Sequence, residues 1–228
     1  MITYSVLSGS NTEVCQRILM VCADSLKKEG LDVLDATWGE GGFWRTLDGS
    51  PHKVWAADLL EDVVKAKEHP FVQEAVQCSA RELSEHFGKA AFDVVILDPP
   101  FHSSSQKVDI EGKARKLALG EKANVCRYAK AYSNKERYQT KNPLSIFYPS
   151  QVCTILRPGG FFLLKIMDNS DGWWHFKAYE HLQWTGFGLR WMFIHDFTWG
   201  GTRPLPTMGR NKGVRPAHAY WMVFQKAT

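Results

Sequence analysis

The residues best suited to chemistry stand at Asp98-Pro99-Pro100-Phe101, directly after the apolar run Val94-Val95-Ile96-Leu97. Such a run reads as a fully buried strand. Two prolines then forbid both helix and ladder, so the motif is a stiff loop at a strand's C-terminal edge. In open α/β sheets that edge is where ligands bind. An acid, a rigid backbone and an aromatic ring held together there could grip a flat group that bears an amine. Asp98, Pro99, Pro100 and Phe101 are therefore the candidate catalytic residues.

A second constellation lies upstream, in Asp35-Ala36-Thr37-Trp38-Gly39-Glu40-Gly41-Gly42. It ends a short apolar stretch, Leu31 to Asp35. The layout of strand, glycine-rich turn and helix start suits a nucleotide cofactor. Gly39 and Gly41 would let the backbone turn sharply and approach a ligand, with helix-start amides binding its polar end. The third glycine of the dinucleotide fingerprint is missing, which argues against NAD. Asp58-Leu59 ends the next apolar stretch, about twenty residues on, where an acid can accept both hydroxyls of a ribose. Asp58 could equally cap a helix from about Leu60 to His69. Ser79 and Ala80 follow a weak strand, Ala75 to Cys78, at the height of an adenine contact.

The elements that must position these groups can be read from periodicity and punctuation. Asn11-Thr12-Glu13 followed by Val14, Ile18, Leu19 and Val21 predicts an amphipathic helix to about Lys28, capped by Asn11 or Thr12 and stopped by Gly30. Strands are expected at Leu31–Asp35, Lys53–Ala57, Ala75–Cys78, Val94–Leu97, Phe161–Met167, Leu189–Phe197 and Ala219–Lys226. Helices are expected at Glu82–Phe87, Pro149–Leu156 and Trp173–Trp184. Alternating strands and helices with a closing hairpin indicate one α/β domain over residues 1–228, with a mainly parallel sheet and an antiparallel edge. Trp38 and Trp44 flank the glycine loop and could shape its pocket. Trp173, Trp174, Trp184, Trp191 and Trp199 read as packing, and His195-Asp196 as a satisfied pair near a strand end.

Composition narrows the class. No apolar run approaches the ~18 residues needed to span a bilayer. Met1 to Val6 shows no basic region leading into an apolar core, so no secretory leader is expected and the location is expected to be cytoplasmic. Five cysteines without a Cys-x-x-Cys pair suggest free thiols, and eight histidines fall at no ligand spacing, so no metal is expected. The formal net charge is only +4, yet residues 102–143 hold ten Lys/Arg against four acids. Residues 200–218 add four more cations and no acid. Two basic insertions suggest a nucleic-acid partner, with Lys113, Arg115, Lys116, Arg127, Arg203, Arg210, Lys212 and Arg215 as candidate phosphate contacts. Tyr128, Tyr132 and Tyr138 interleave with cations, as base stacking would require, although the same residues could serve as solvated loops or pin a lid to the body.

Taken together, these elements resemble the class I S-adenosylmethionine-dependent methyltransferases over nearly the whole chain. The Asp-x-Thr-x-Gly-x-Gly-Gly form at Asp35 to Gly42 is similar to the cofactor loop of a family of ribosomal RNA cytosine-N4 methyltransferases. Asp98-Pro-Pro-Phe101 resembles the Asp/Asn-Pro-Pro-aromatic motif of amino-methyltransferases that act on nucleic-acid bases. The resemblance implies a single Rossmann-like domain whose seven-stranded sheet has an antiparallel last strand. It also implies S-adenosylmethionine as cofactor, held by Asp35, Thr37, Trp38, Gly39, Gly41, Gly42, Asp58, Leu59, Ser79 and Ala80. The expected reaction is methyl transfer to an exocyclic amine of a base, with adenine N6 in DNA ahead of adenine N6, guanine N2 or cytosine N4 in RNA.

Two other readings stay open. Arg157-Pro-Gly-Gly-Phe-Phe-Leu-Leu-Lys165 resembles the strand of ribose 2′-O-methyltransferases whose lysine helps to deprotonate a hydroxyl. Their pattern expects an acid where this chain offers His218, and it lacks the two prolines after the fourth-strand Asp. Outside that reading, Lys165 is a strand-end residue reaching solvent or phosphate. A non-catalytic nucleic-acid-binding subunit would keep the fold with no chemical need for either motif. The motifs leave the target sequence and the oligomeric state open.

Overall fold

The computed structural model describes residues 3–45, 50–98, 149–166, 174–183, 185–196 and 218–228. In chain order these form β1 (Thr3–Ser8), α1 (Asn11–Leu26), β2 (Asp32–Asp35), β3 (Lys53–Asp58), a 3-10 helix (Glu61–Glu68) and β4 (Val72–Gln77). There follow α2 (Leu83–His86), β5 (Phe92–Leu97), α3 (Pro149–Ile155), β6 (Leu156–Ile166), α4 (Trp174–Gln183), β7 (Phe187–Asp196) and β8 (His218–Lys226). The strands make one eight-stranded sheet in the order β1-β7-β8-β6-β5-β2-β3-β4. All pairings are parallel except those of β8, which runs antiparallel to both β6 and β7.

This is the expected α/β architecture with two differences. The N-terminal strand β1 was not anticipated, because Thr3 to Ser8 mixes polar and apolar residues without a buried run. Its partner β7 supplies the order, in a parallel ladder from Thr3 opposite Trp191 to Ser8 opposite Asp196. The antiparallel strand is also interior rather than at the edge, since β1 closes the sheet beyond β7.

Side chains alternate across a strand with period two, so each buried strand feeds two cores. Val94 and Ile96 of β5 join α1, the 3-10 helix, Phe161 and Leu163 on one face. Val95 and Leu97 join α2, α3, α4, Phe162 and Leu164 on the other. Every residue of β5 is buried. Burial on both faces is what the unbroken apolar run records, and it fixes where the strand ends.

Helix α1 is started by Ser10, one residue before the expected caps. The Ser10 hydroxyl accepts from the Glu13 amide, and the Glu13 carboxylate accepts from the Ser10 amide at 2.7 Å. That capping box satisfies two end donors reciprocally. Thr12 instead donates its hydroxyl to the Gly42 carbonyl at 3.2 Å, which ties the helix to the glycine loop.

Candidate active site at the C-terminal edge of the sheet

The tips of β2, β3 and β5 meet at this edge, and the glycine loop lies across them. After Asp35 the chain turns without entering a helix among the described residues, contrary to the helix start expected from sequence. The aromatic residues explain the difference. Phe43 and Trp44 are drawn into the core, and the Trp44 indole donates to Asp35 Oδ2 at 2.7 Å. Trp38 and Trp44 stack with ring centroids 6.3 Å apart and 8° between planes. Both tryptophans thus pack under the loop rather than standing in front of it. Gly39 and Gly41 take φ of +58° and +67°, where a Cβ is strained. A Cβ on Gly41 would also lie 3.1 Å from the Trp38 ring.

Two carboxylates at the edge, Asp35 and Asp58, hold backbone. Asp35 is fully buried and accepts from the Thr37 amide at 3.1 Å in addition to Trp44. Burial pushes its carboxyl up to about 7, against the pull of those two donors, and the nearby Asp58 and Asp98 charges add to the rise. Asp58 accepts from the Gly39 amide at 2.8 Å and the Leu60 amide at 2.9 Å. Burial raises its pKa too, with the Leu60, Gly39 and Leu59 amides opposing. Asp58 is therefore the latch of the glycine loop, and the 3-10 helix after it has no side-chain cap. A carboxylate oxygen can accept two bonds, so this grip is compatible with ribose hydroxyls at the remaining lone pairs.

The other predicted cofactor residues fall beside these. Trp38 donates its amide to the Ala57 carbonyl at 3.1 Å, and Cys78 donates to the Asp58 carbonyl at 2.9 Å. The second bond ties the β4 tip, with half-buried Ser79 and Ala80, to the β3 tip with half-buried Leu59. At Gly42 an added Cβ would meet nothing within 4 Å among the described residues, so the loop leaves space there. Asp35, Thr37, Trp38, Gly39, Gly41, Gly42, Asp58, Leu59, Ser79 and Ala80 thus share one edge.

Asp98 joins them through its own backbone. Its amide donates to the Thr37 hydroxyl at 2.7 Å, so the β5 tip is bonded to the glycine loop. Its carboxylate Oδ2 accepts from Lys165 Nζ at 3.0 Å. Pro99, Pro100, Phe101 and the eight candidate phosphate contacts Lys113, Arg115, Lys116, Arg127, Arg203, Arg210, Lys212 and Arg215 lie outside the described residues.

Lys165 corrects the sequence expectation. It is 6% exposed rather than reaching solvent. Its ammonium lies 5.1 Å from the Phe43 ring centroid and 5.7 Å from that of Trp221. Strand register accounts for the pairing. Leu97 stands opposite Leu164, so the next residues on the two parallel strands, Asp98 and Lys165, come side by side. The available signal was a single cation inside the apolar run Phe161 to Met167.

Other groups at this edge are inert or structural. Burial holds the Cys15 thiol well above its ordinary value, which removes it as a nucleophile at neutral pH. His195 Nε2 is 2.9 Å from the Gly9 carbonyl. Burial lowers its pKa. Among the described residues no group of three or more His, Cys, Asp or Glu could hold a metal ion. None of the described helices is long and apolar enough to cross a membrane.

No protein-family profile matches the chain, and no curated protein is similar to it. Solved structures are similar in fold. A 1,6-didemethyltoxoflavin-N1-methyltransferase from Burkholderia thailandensis, solved with its substrate and S-adenosylhomocysteine bound, superposes with a TM-score of 0.54 at 16% identity. The match covers 95% of this chain and 80% of that one. A SAM-dependent O-methyltransferase from Thermotoga maritima gives 0.51 at 18% identity, covering 95% of this chain and 65% of that one. The CurJ carbon methyltransferase gives 0.51 at 15% identity, covering 96% of this chain and 54% of that one. The chain has the Rossmann-like fold of these methyltransferases.

Proposed function

We propose that the protein is an S-adenosylmethionine-dependent methyltransferase acting on an exocyclic amine of a nucleic-acid base, adenine N6 in DNA first. One observation carries the reading. The Asp98 amide is bonded to Thr37 of the glycine loop, which supports reading Asp98 and the cofactor loop as parts of one site. The fold shared with methyltransferases of nitrogen, oxygen and carbon supports methyl transfer in general. The two basic segments and the Asp98-Pro-Pro-Phe101 sequence support the narrower substrate.

In this reading Gly39 to Gly42, Asp58, Leu59, Ser79 and Ala80 bind and orient the cofactor, which supplies an electrophilic methyl group. A base amine is a weak nucleophile because its lone pair is conjugated with the ring. Acceptors on its N–H groups, here the Asp98 carboxylate and the Pro99 carbonyl, favour a tetrahedral nitrogen. The nitrogen lone pair forms the new N–C bond and the C–S pair stays with sulfur. One N–H proton, acidic after transfer, leaves to water. Phe101 stacks on a base rotated out of its helix.

The test is incubation with methyl-labelled S-adenosylmethionine and separate DNA and RNA pools, beside calorimetry with the cofactor alone. Label should enter one pool. Cofactor binding without label in either pool would refute the substrate class, and absence of cofactor binding would leave the fold as a non-catalytic binding subunit. The position of Lys165 beside Asp98 favours a second reading, methyl transfer to a ribose 2′-hydroxyl with Lys165 assisting deprotonation. Digestion of labelled product to nucleosides distinguishes the two by placing the methyl group on base or sugar.

A further inference from the structure

The one buried lysine among the described residues sits against the one acid of the proposed catalytic motif. Lys165 is enclosed by Phe43 and Trp221, rings that offer a cation only weak attraction and no hydrogen-bond acceptor. An ammonium kept in such a place needs a carboxylate partner, and Asp98 Oδ2 is that partner at 3.0 Å. Asp98 remains 26% exposed at its side chain, and its Oδ1 has no bond among the described residues. One oxygen is thus bonded to Lys165, and the other keeps its acceptor capacity among the described residues.

We infer that Lys165 is a positioning residue. It fixes the rotamer of Asp98 and makes the pair neutral overall, so the site selects an uncharged conjugated amine over an alkylammonium. The inference rests on the proposed amine reading and names what enforces it. A lone carboxylate would attract a protonated alkylamine such as a lysine side chain, whose nitrogen has no free lone pair. A carboxylate already neutralised by Lys165 gains little from a second cation, and the two ammonium groups would repel.

A purely structural role predicts something different. Lys165→Met, which removes one partner of the pair, would then cost stability and leave the kcat of the folded fraction intact. The experiment compares wild type, Lys165→Met and Lys165→Arg by crystal structure, which reads the Asp98 rotamer, and by transfer kinetics. Lys165→Met should release the Asp98 side chain from the rotamer that the 3.0 Å contact holds, and Lys165→Arg should restore it. On whichever nucleic acid accepts label, Lys165→Met should lower kcat about 100-fold, with cofactor affinity changed less than about threefold. Lys165→Arg should recover at least about a tenth of the wild-type rate, and methylation of a lysine peptide should rise relative to the base in Lys165→Met.

An Asp98 rotamer unchanged in Lys165→Met, or wild-type kcat in that variant, overturns the inference. So does an equal loss of cofactor affinity, which would make Lys165 part of the cofactor pocket. Should Lys165→Met not fold, Lys165→Gln takes its place as the neutral variant with the same expected outcomes. The crystallographic readout needs no substrate. If no nucleic acid accepts label while the Asp98 side chain moves, the substrate reading fails and the coupling of Lys165 to Asp98 stands.

Discussion

Strand β5 carries an aspartate at each end, and the two are handled in opposite ways. Asp93, near its start, has a side chain only 4% exposed and accepts from Lys28 Nζ at 2.6 Å, Arg157 NH1 at 2.8 Å and the Asp32 amide at 3.0 Å. Arg157 also reaches Asp32 at 2.9 Å. Burial alone would raise the Asp93 pKa, but those donors outweigh it and hold the carboxyl below its ordinary value. Asp98, just past the strand's other end, is more exposed and keeps acceptor capacity in reserve. At the first end the carboxylate is spent entirely on the chain. At the second it is half spent, and the remainder can serve a ligand. Residue type alone does not mark a site; unspent hydrogen-bonding capacity at an accessible edge does.

This contrast can be broken most forcefully at Asp93. Asp93→Ala removes the partner of Lys28, one of two partners of Arg157 and the acceptor of the part-buried Asp32 amide, and should cost about 1–3 kcal/mol in urea denaturation while leaving the kcat of the folded fraction unchanged. A loss of less than about 1 kcal/mol would mean that solvent already satisfies that cluster. Asp98→Asn should do the reverse. The amide keeps an acceptor for Lys165 but removes its countercharge, so some stability should be lost, less than at Asp93, while transfer should fall about 10²–10³-fold. Equal stability losses at the two positions would erase the distinction between the ends.

A third carboxylate, Asp35, sharpens it by pH. A buried acid with a raised pKa binds its proton more tightly in the folded state than in the unfolded one. Its contribution to stability is therefore largest below the unfolded value near 3.9, declines as pH rises toward about 7, and is level above that. Asp93 has the opposite sign, with stability present above the ordinary carboxylate range and lost as pH falls through its lowered folded value. Urea midpoints followed from pH 4 to 8 should show wild type losing ground to Asp35→Asn, by on the order of a few kcal/mol. Parallel curves would show that Asp35 keeps an ordinary pKa. The smallest expected effect is at Gly41→Ala, which combines a positive φ with a ring contact and should cost about 1–2 kcal/mol, together with weaker cofactor binding by calorimetry.

Much of the architecture was legible without the fold. The run Val94 to Leu97 announced a fully buried strand, and Gly39 with Gly41 announced a sharp turn. Both signals are local and strong, since burial and backbone sterics act residue by residue. Strand β1 was not legible, because its order comes from the β7 ladder rather than from its own pattern. The helix expected after the glycine loop was misread for a similar reason. Trp44 bonds to Asp35 and packs inward, a long-range gain that outweighs the local preference for a helix start.

The candidate site divides along the same line. From sequence alone come the acid-proline-proline-aromatic motif, the glycine loop, the acid at Asp58 and the two basic segments, since each depends on residue type at short spacing. Only the tertiary structure decided that Asp58 latches the Gly39 amide, that Thr37 joins the loop to Asp98, and that Lys165 pairs with Asp98 instead of reaching solvent. Those contacts join residues far apart in the chain. Parallel strand register sets the last of them, and no local pattern records which strands become neighbours.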